Sequence, residues 1–276
     1  MIGFCPLASG SKGNCLYFGT DQVKILIDSG ISLKATATKL NEIGVDISEI
    51  DAIFITHDHG DHIAGLKPLI SKYSIPVFAN HETAKGIIEQ LDINPKFKIF
   101  STGETFEYLG LEIHPFSIPH DTLDPVAFTI CTDQHKFGIC ADLGYVTSGV
   151  RRNLKECDYL YIEANHQVSM VHACSRPMVY KNRVLGKNGH LSNEACGHLL
   201  QELAHDGLKH VHLAHLSSEC NTHETCLNTI SEALESHGIE LNLSIAYQDK
   251  VSLPVSSDFF IAKTQSHKER EREILF

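Results

Sequence analysis

His57, His59, Asp61 and His62 stand close together in the run Thr56-His57-Asp58-His59-Gly60-Asp61-His62, and each can bind a divalent metal ion. Imidazole nitrogens with a carboxylate suit zinc, manganese or iron. The H-x-H-x-D-H spacing lets the ligands be divided between two ions, while Asp58 falls outside the pattern. Just upstream, Ile53-Phe54-Ile55 reads as the end of a buried strand, so the loop empties into a cleft. Burying four such groups without a metal or partners would be costly.

The elements that must carry this loop alternate. Apolar runs rich in Val, Ile and Phe at 23–27, 52–55, 75–79, 137–141, 159–162 and 211–214 read as buried strands. Helical periodicity joins Ala84, Ile87, Ile88 and Leu91, and again Ala195, Leu199, Leu200 and Leu203, the second closed by Gly207. Asn221 and Glu224 have capping-box spacing ahead of a helix carrying Leu227, Ile230 and Leu234. Several strand candidates between Phe97 and Ala141 follow one another with no helix between, which favours two sheets with helices outside over one doubly wound sheet.

Composition narrows the class. With 276 residues, 42% hydrophobic and 21% charged, the chain suits one large globular domain. No apolar stretch approaches the roughly 20 residues that span a bilayer, and the start of the chain lacks a basic leader, so a cytoplasmic protein with no membrane partner is expected. Nine scattered cysteines without a C-x-x-C pair suggest neither a disulfide framework nor a thiolate zinc site. A net charge of -11 excludes a surface basic all over, but not a local basic path. The charged residues 263–276 read as a separable tail, leaving 1–262 as the catalytic domain.

The histidine loop resembles that of the metallo-β-lactamase superfamily, and the rest of the chain fills the same pattern in order. Asp28 ends the run Ile25-Leu26-Ile27, His120 follows the strand-like 111–116, Asp142 ends 137–141, and His215 follows 211–214. The resemblance implies a four-layer αββα sandwich of two mixed sheets. It also implies two divalent ions, zinc or manganese: one on His57, His59 and His120, the other on Asp61, His62 and His215, with Asp142 bridging. Such ions share a hydroxide for hydrolysis, Asp61 would orient or deprotonate its parent water, and Asp28 would hydrogen-bond a ligand rather than touch an ion.

Residues 8–14 (Ala8-Ser9-Gly10-Ser11-Lys12-Gly13-Asn14), 163–166, 189–193 and 213–217 are similar to the WalJ/YycJ/VicX branch, from which Gln167 and Cys220 depart. That branch is related to metallo-β-lactamase nucleases, and it implies a DNA phosphodiesterase, with RNA as the other polymer. By the same similarity His190 binds the scissile phosphate or protonates the leaving oxygen, and Glu163 orients it. Gly189 to Ser192 also reads as a helix start with Ser192 as cap.

Between Ala164 and Asn193 there is no Asp or Glu, while Arg176, Lys181, Arg183 and Lys187 are present. In so acidic a chain this reversal is expected to track phosphates, with Tyr180 as a stacking surface. The same metal set would serve hydrolysis of a small phosphodiester, ester, lactone or thioester, where an apolar pocket should dominate recognition. A non-catalytic regulatory protein on this fold is disfavoured by the intact ligands.

Overall fold

A computed structural model describes residues 1–93 and 95–256; the tail expected at 263–276 lies outside the described residues. Strands β1 (Gly3–Ala8), β2 (Cys15–Gly19), β3 (Lys24–Ile27), β4 (Ala52–Phe54), β5 (Val77–Ala79) and β6 (Phe97–Ile99) form one sheet in chain order. Strands β7 (Phe106–Tyr108), β8 (Leu111–Ser117), β9 (Val126–Cys131), β10 (Lys136–Cys140), β11 (Tyr159–Glu163), β12 (His210–Ala214) and β13 (Leu243–Ile245) form the second. Both sheets are mixed: β1 to β3 pair antiparallel and β3 to β6 parallel, while β7 to β10 pair antiparallel and β10 to β13 parallel.

The parallel steps require crossovers, and helices supply most of them. Helices α1 (Leu33–Glu42), α2 (Gly60–Ile63), α3 (Leu66–Tyr73) and α4 (His81–Leu91) belong to the first half. Helices α5 (Ser148–Leu154), α6 (Val168–Ala173), α7 (Met178–Val184), α8 (Asn193–Leu203) and α9 (His223–Glu235) belong to the second.

Strand alternation builds the layers. Ile25 and Ile27 of β3 enter the cluster between the sheets with Phe54, Phe128 and Phe137, while Leu26 faces outward to Leu40, Leu66 and Ile87. On the second sheet Leu160, Ile162, Val211 and Leu213 face outward to Val150, Leu199 and Ile230. The result is the four-layer αββα sandwich expected.

Two expected boundaries differ. The helix after Asn221 is capped by Thr222, whose side chain accepts from the Thr225 amide. Asn221 is instead buried, its amide donating to the carbonyls of Ala164 and Asn165. Helix α8 starts at the expected cap, Ser192, but ends at Leu203, before Gly207.

Candidate metal centre

Three strands of the sandwich end in backbone that only a few side chains tolerate. Asp28, just past β3, Asp142, just past β10, and His215, just past β12, have φ of 61°, 56° and 54°. For non-glycine residues this left-handed region costs of order 1–3 kcal/mol each. The turn it makes lets a carboxylate or imidazole at a strand end leave the sheet's alternation and join the loop after β4.

That loop is held from three sides. The Thr56 amide donates to Asp28 Oδ1 at 2.9 Å, and its hydroxyl to Asp28 Oδ2 at 2.9 Å. The Asn14 amide donates to the Asp61 carbonyl at 2.8 Å. A side-chain carbon at Gly30 would collide with that same carbonyl, so glycine is required there.

Two groups of donors result. His57 Nε2 lies 3.1 Å and His120 Nε2 3.2 Å from His59 Nδ1. Zinc with bonds of 2.0–2.1 Å in a tetrahedron sets its ligand atoms about 3.3 Å apart, so this triad already has nearly the right span. The remaining nitrogens are occupied: His57 Nδ1 is 3.0 Å from Thr56 Oγ1, and His120 Nδ1 is 3.1 Å from the Gly189 carbonyl. Asp61, His62 and His215 form a second group, and Asp142 meets both sides, 3.0 Å from His62 Nε2 and 3.7 Å from His120 Nε2. His62 Nδ1 is 2.8 Å from Asp28 Oδ2, which leaves Nε2 facing Asp142 and Asp61.

Burial sets the electrostatics. Desolvation pushes His57 well below the ordinary imidazole range, with neighbouring imidazoles adding to it, and it lowers His120 as well. Neutral imidazoles are what a metal binds. Burial opposes charge on His62 too, but Asp28 and Asp142 hold its proton on, and Asp142, Asp61 and Glu163 push His215 up to about 10. Asp142 is held well below the carboxylate range, against burial, by His215 and His62. Without an ion, these carboxylates are balanced by imidazolium protons, and a divalent cation would neutralise them equally well.

The donor set fits such an ion on a second ground. Asp142 Oδ2 and His215 Nε2 are buried and make no hydrogen bond of acceptable geometry. Each faces only an ion-pair partner, His62 Nε2 at 3.0 Å and Asp61 Oδ2 at 3.7 Å respectively, and buried polar atoms without a hydrogen bond are rare.

Glu163, at the end of β11, is fully buried and satisfies four groups: the amides of Leu143 and Leu191, His190 Nδ1 at 2.8 Å and His215 Nδ1 at 3.0 Å. Asp142, Glu163, His190 and His215 also lie close enough together to hold an ion. Both oxygens of Glu163, however, are already engaged by those amides and imidazoles. Burial opposes its charge, yet His190 and His215 hold it down to about 2, and Glu163 in turn raises His190 against burial.

Sequence reasoning gave no role to three residues here. Asn14 Nδ2 lies 3.2 Å from Asp61 Oδ2 and 3.0 Å from His62 Nε2. Ser9 Oγ accepts from the His215 amide at 2.8 Å. Asp121 Oδ1 lies 3.5 Å from His59 Nε2 and 3.4 Å from His120 Nε2. The only signal was the motif at residues 8–14 and the position of Asp121 next to His120.

His59, Asp61, His120, Asp142 and His215 line a cleft of about 300 Å³ together with Arg176, Tyr180 and Arg183. Both arginines are paired at its edge, Arg176 Nε with Glu219 Oε2 at 2.7 Å and Arg183 Nε with Asp121 Oδ2 at 2.7 Å. Lys181 and Lys187, expected beside them, do not line the cleft; Lys181 Nζ donates to the His172 carbonyl.

Residues 23–215 match the Beta-lactamase superfamily domain family. The chain is 34% identical over 251 residues to exodeoxyribonuclease YycJ of Bacillus anthracis, spanning 90% of this chain and 95% of that one. It is 33% identical over 253 residues to exodeoxyribonuclease WalJ of Streptococcus pneumoniae, spanning 88% and 94%. The fold is similar to the metallo-β-lactamase fold protein YhfI from Bacillus subtilis, with a TM-score of 0.69 at 17% identity over 90% of this chain and 97% of that one.

Proposed function

The chain belongs to the β-lactamase superfamily, and on that premise we propose that it is a dinuclear metal-dependent nuclease that cleaves phosphodiester bonds of DNA. One observation carries the reading: two adjoining donor groups meet at Asp142, in a cleft that also holds two arginines and a tyrosine. The relatives named exodeoxyribonucleases support DNA as the polymer and removal of terminal nucleotides as the mode.

His57, His59 and His120 would hold one ion and Asp61, His62 and His215 the other, with Asp142 between them. Bound there, zinc or manganese ions supply an activated water at neutral pH and offset charge on the attacked phosphate. The chain's own residues do the rest. Asp61 orients the water, itself fixed by Asn14. His190, aimed by Glu163, meets the leaving oxygen and gives it a proton. Arg176 and Arg183 exchange their carboxylate partners for substrate phosphates, a small change because exposed ion pairs contribute only about 0–1 kcal/mol. Tyr180 offers a ring face to a base.

No helix among the described residues is long and apolar enough to cross a membrane, and we place the activity in the cytoplasm, on a catalytic unit of residues 1–262. The test is to offer metal-replete protein end-labelled single- and double-stranded DNA and RNA beside bis(p-nitrophenyl) phosphate and a thioester. Preferential cleavage of DNA is expected; efficient thioester hydrolysis with intact DNA would assign the site to a small-substrate hydrolase.

A further inference from the structure

A second cavity, of about 360 Å³, lies on the other side of His190 from the metal donors. Cavity and cleft adjoin. Asn165 lines the cleft and His166 the cavity, Val184 lines the cleft and Leu185 the cavity, and His190 lines both. The cavity runs along one face of α8 from Ser192 past Ala195 and His198. Its size is within the range of small-molecule sites, roughly 300–1,000 Å³.

Its chemistry differs from that of the cleft. Arg151 is the one arginine or lysine among the described residues lining it, and that guanidinium is already committed, Nε to Glu202 Oε2 at 2.6 Å and Nη1 to the Val146 carbonyl at 3.1 Å. Besides Glu202, Ser192 and three histidines, the lining is apolar or aromatic, with Val146, Val168, Leu185 and Leu199 forming an aliphatic wall and Tyr145 45% exposed at the rim. One polar group is unexplained: His166 is 1% exposed and its Nδ1 has no hydrogen-bond partner, and burial keeps this imidazole neutral by lowering its pKa. An aliphatic wall with an exposed ring face beside it suits the flat, largely apolar faces of a nucleobase.

We propose that this cavity binds the nucleoside attached to the leaving oxygen of the scissile phosphodiester, its base against Tyr145 and the aliphatic wall. The inference rests on the nuclease reading, and within it the direction follows from His190. If that imidazole meets the leaving oxygen, the unit bearing the oxygen extends past His190, away from Asp61 and Asp142, and the cavity is what it reaches. The cleft arginines hold phosphates and the cavity holds a base, so that one strand occupies both.

The test uses the metal-replete full chain and oligonucleotides in which a base-less residue stands on either side of the bond that is cut, with hydrolysis of bis(p-nitrophenyl) phosphate as the reference rate for each protein. Loss of the base on the leaving side is expected to lower kcat/KM by about tenfold or more, and loss on the other side by less. Ala195→Phe, which fills the cavity, and Tyr145→Ala, which removes the ring without crowding the core, should each shrink that discrimination to less than about threefold. Equal cleavage of both base-less substrates by the unaltered protein, or full discrimination in both variants, would overturn the subsite while leaving the nuclease reading intact. Failure of metal-replete protein to cut any oligonucleotide would overturn the nuclease reading, and the subsite with it.

Discussion

Oε1 of Glu163 lies 2.8 Å from Nδ1 of His190, and the same atom lies 3.0 Å from Nδ1 of His215. One carboxylate oxygen thereby aims both the proposed proton donor and a proposed metal ligand. The two roles separate by mutation. His190→Ala should lower kcat by about 10²–10⁴-fold with metal content unchanged, and KM should change much less. Glu163→Gln should lower turnover and metal affinity together, because orienting partners of metal ligands typically contribute 10–100-fold in affinity. Single-turnover rates and elemental analysis on both variants check this. Equal metal loss in the two would make His190 a ligand.

Asp142 and Asp58 are both carboxylates near the centre, but they face different partners. Asp142 is buried among His62, His120 and His215, whereas Asp58 accepts from Thr122 Oγ1 and Gln90 Nε2 outside the donor groups. Asp142→Ala should abolish measurable activity and metal retention. Asp58→Ala should chiefly lower stability, by about 1–3 kcal/mol, as its partners lose an acceptor. Urea melts with metal counting distinguish the two, and equal activity losses in folded, metal-loaded proteins would show that the loop roles are misassigned.

The cleft arginines predict the salt dependence of DNA binding. Neutralising Arg176 and Arg183 together should reduce the magnitude of the slope of log affinity against log salt by about 1–2, since each phosphate contact contributes roughly 0.7–0.9. Neutralising Lys181 and Lys187, which do not line the cleft, should leave the slope nearly unchanged. Fluorescence anisotropy over a salt series reads this, and the reverse order would move the phosphate path to the outer face of α7.

His212, on β12, is buried between the sheets. Its Nε2 lies 2.8 Å from the Leu253 carbonyl, and burial, with His210 nearby, lowers its pKa to about 3. A histidine depressed in the fold stays neutral there while the unfolded chain takes up a proton below about 6.5. Its contribution is therefore present above pH 6.5 and is lost as the pH falls from there toward 3. The loss is about 2 kcal/mol between pH 7 and 5. His212→Gln should flatten the pH dependence of stability across that window, measured by denaturant melts at saturating metal. An unchanged slope would contradict a neutral buried imidazole.

The donor loop was legible because its ligands are close in sequence and follow a buried run. His120, Asp142 and His215 were legible only as an ordered set resembling a family, since no local pattern marks a single histidine or aspartate. Contacts between distant segments were hidden: Asn14 meets Asp61 across 47 positions and Ser9 meets His215 across 206. The cap at Thr222 was missed because Asn221, equally able to cap, is drawn into bonds with Ala164 and Asn165. Counting charges between Ala164 and Asn193 also could not tell one helix face from another. Tyr180 and Arg183, three apart on α7, share the cleft with Arg176 from the segment before the helix, while Lys181 points elsewhere.

Catalysis on DNA should need both donor groups filled. Protein stripped by chelator and then loaded stepwise with manganese or zinc, with cleavage of an end-labelled duplex followed at each step, tests it most directly. No cleavage is expected without metal, and the rate should saturate near two equivalents per chain, because the seven donors exceed what one tetrahedral ion can use. Full cleavage at one equivalent, or cleavage that persists in chelator, would contradict it.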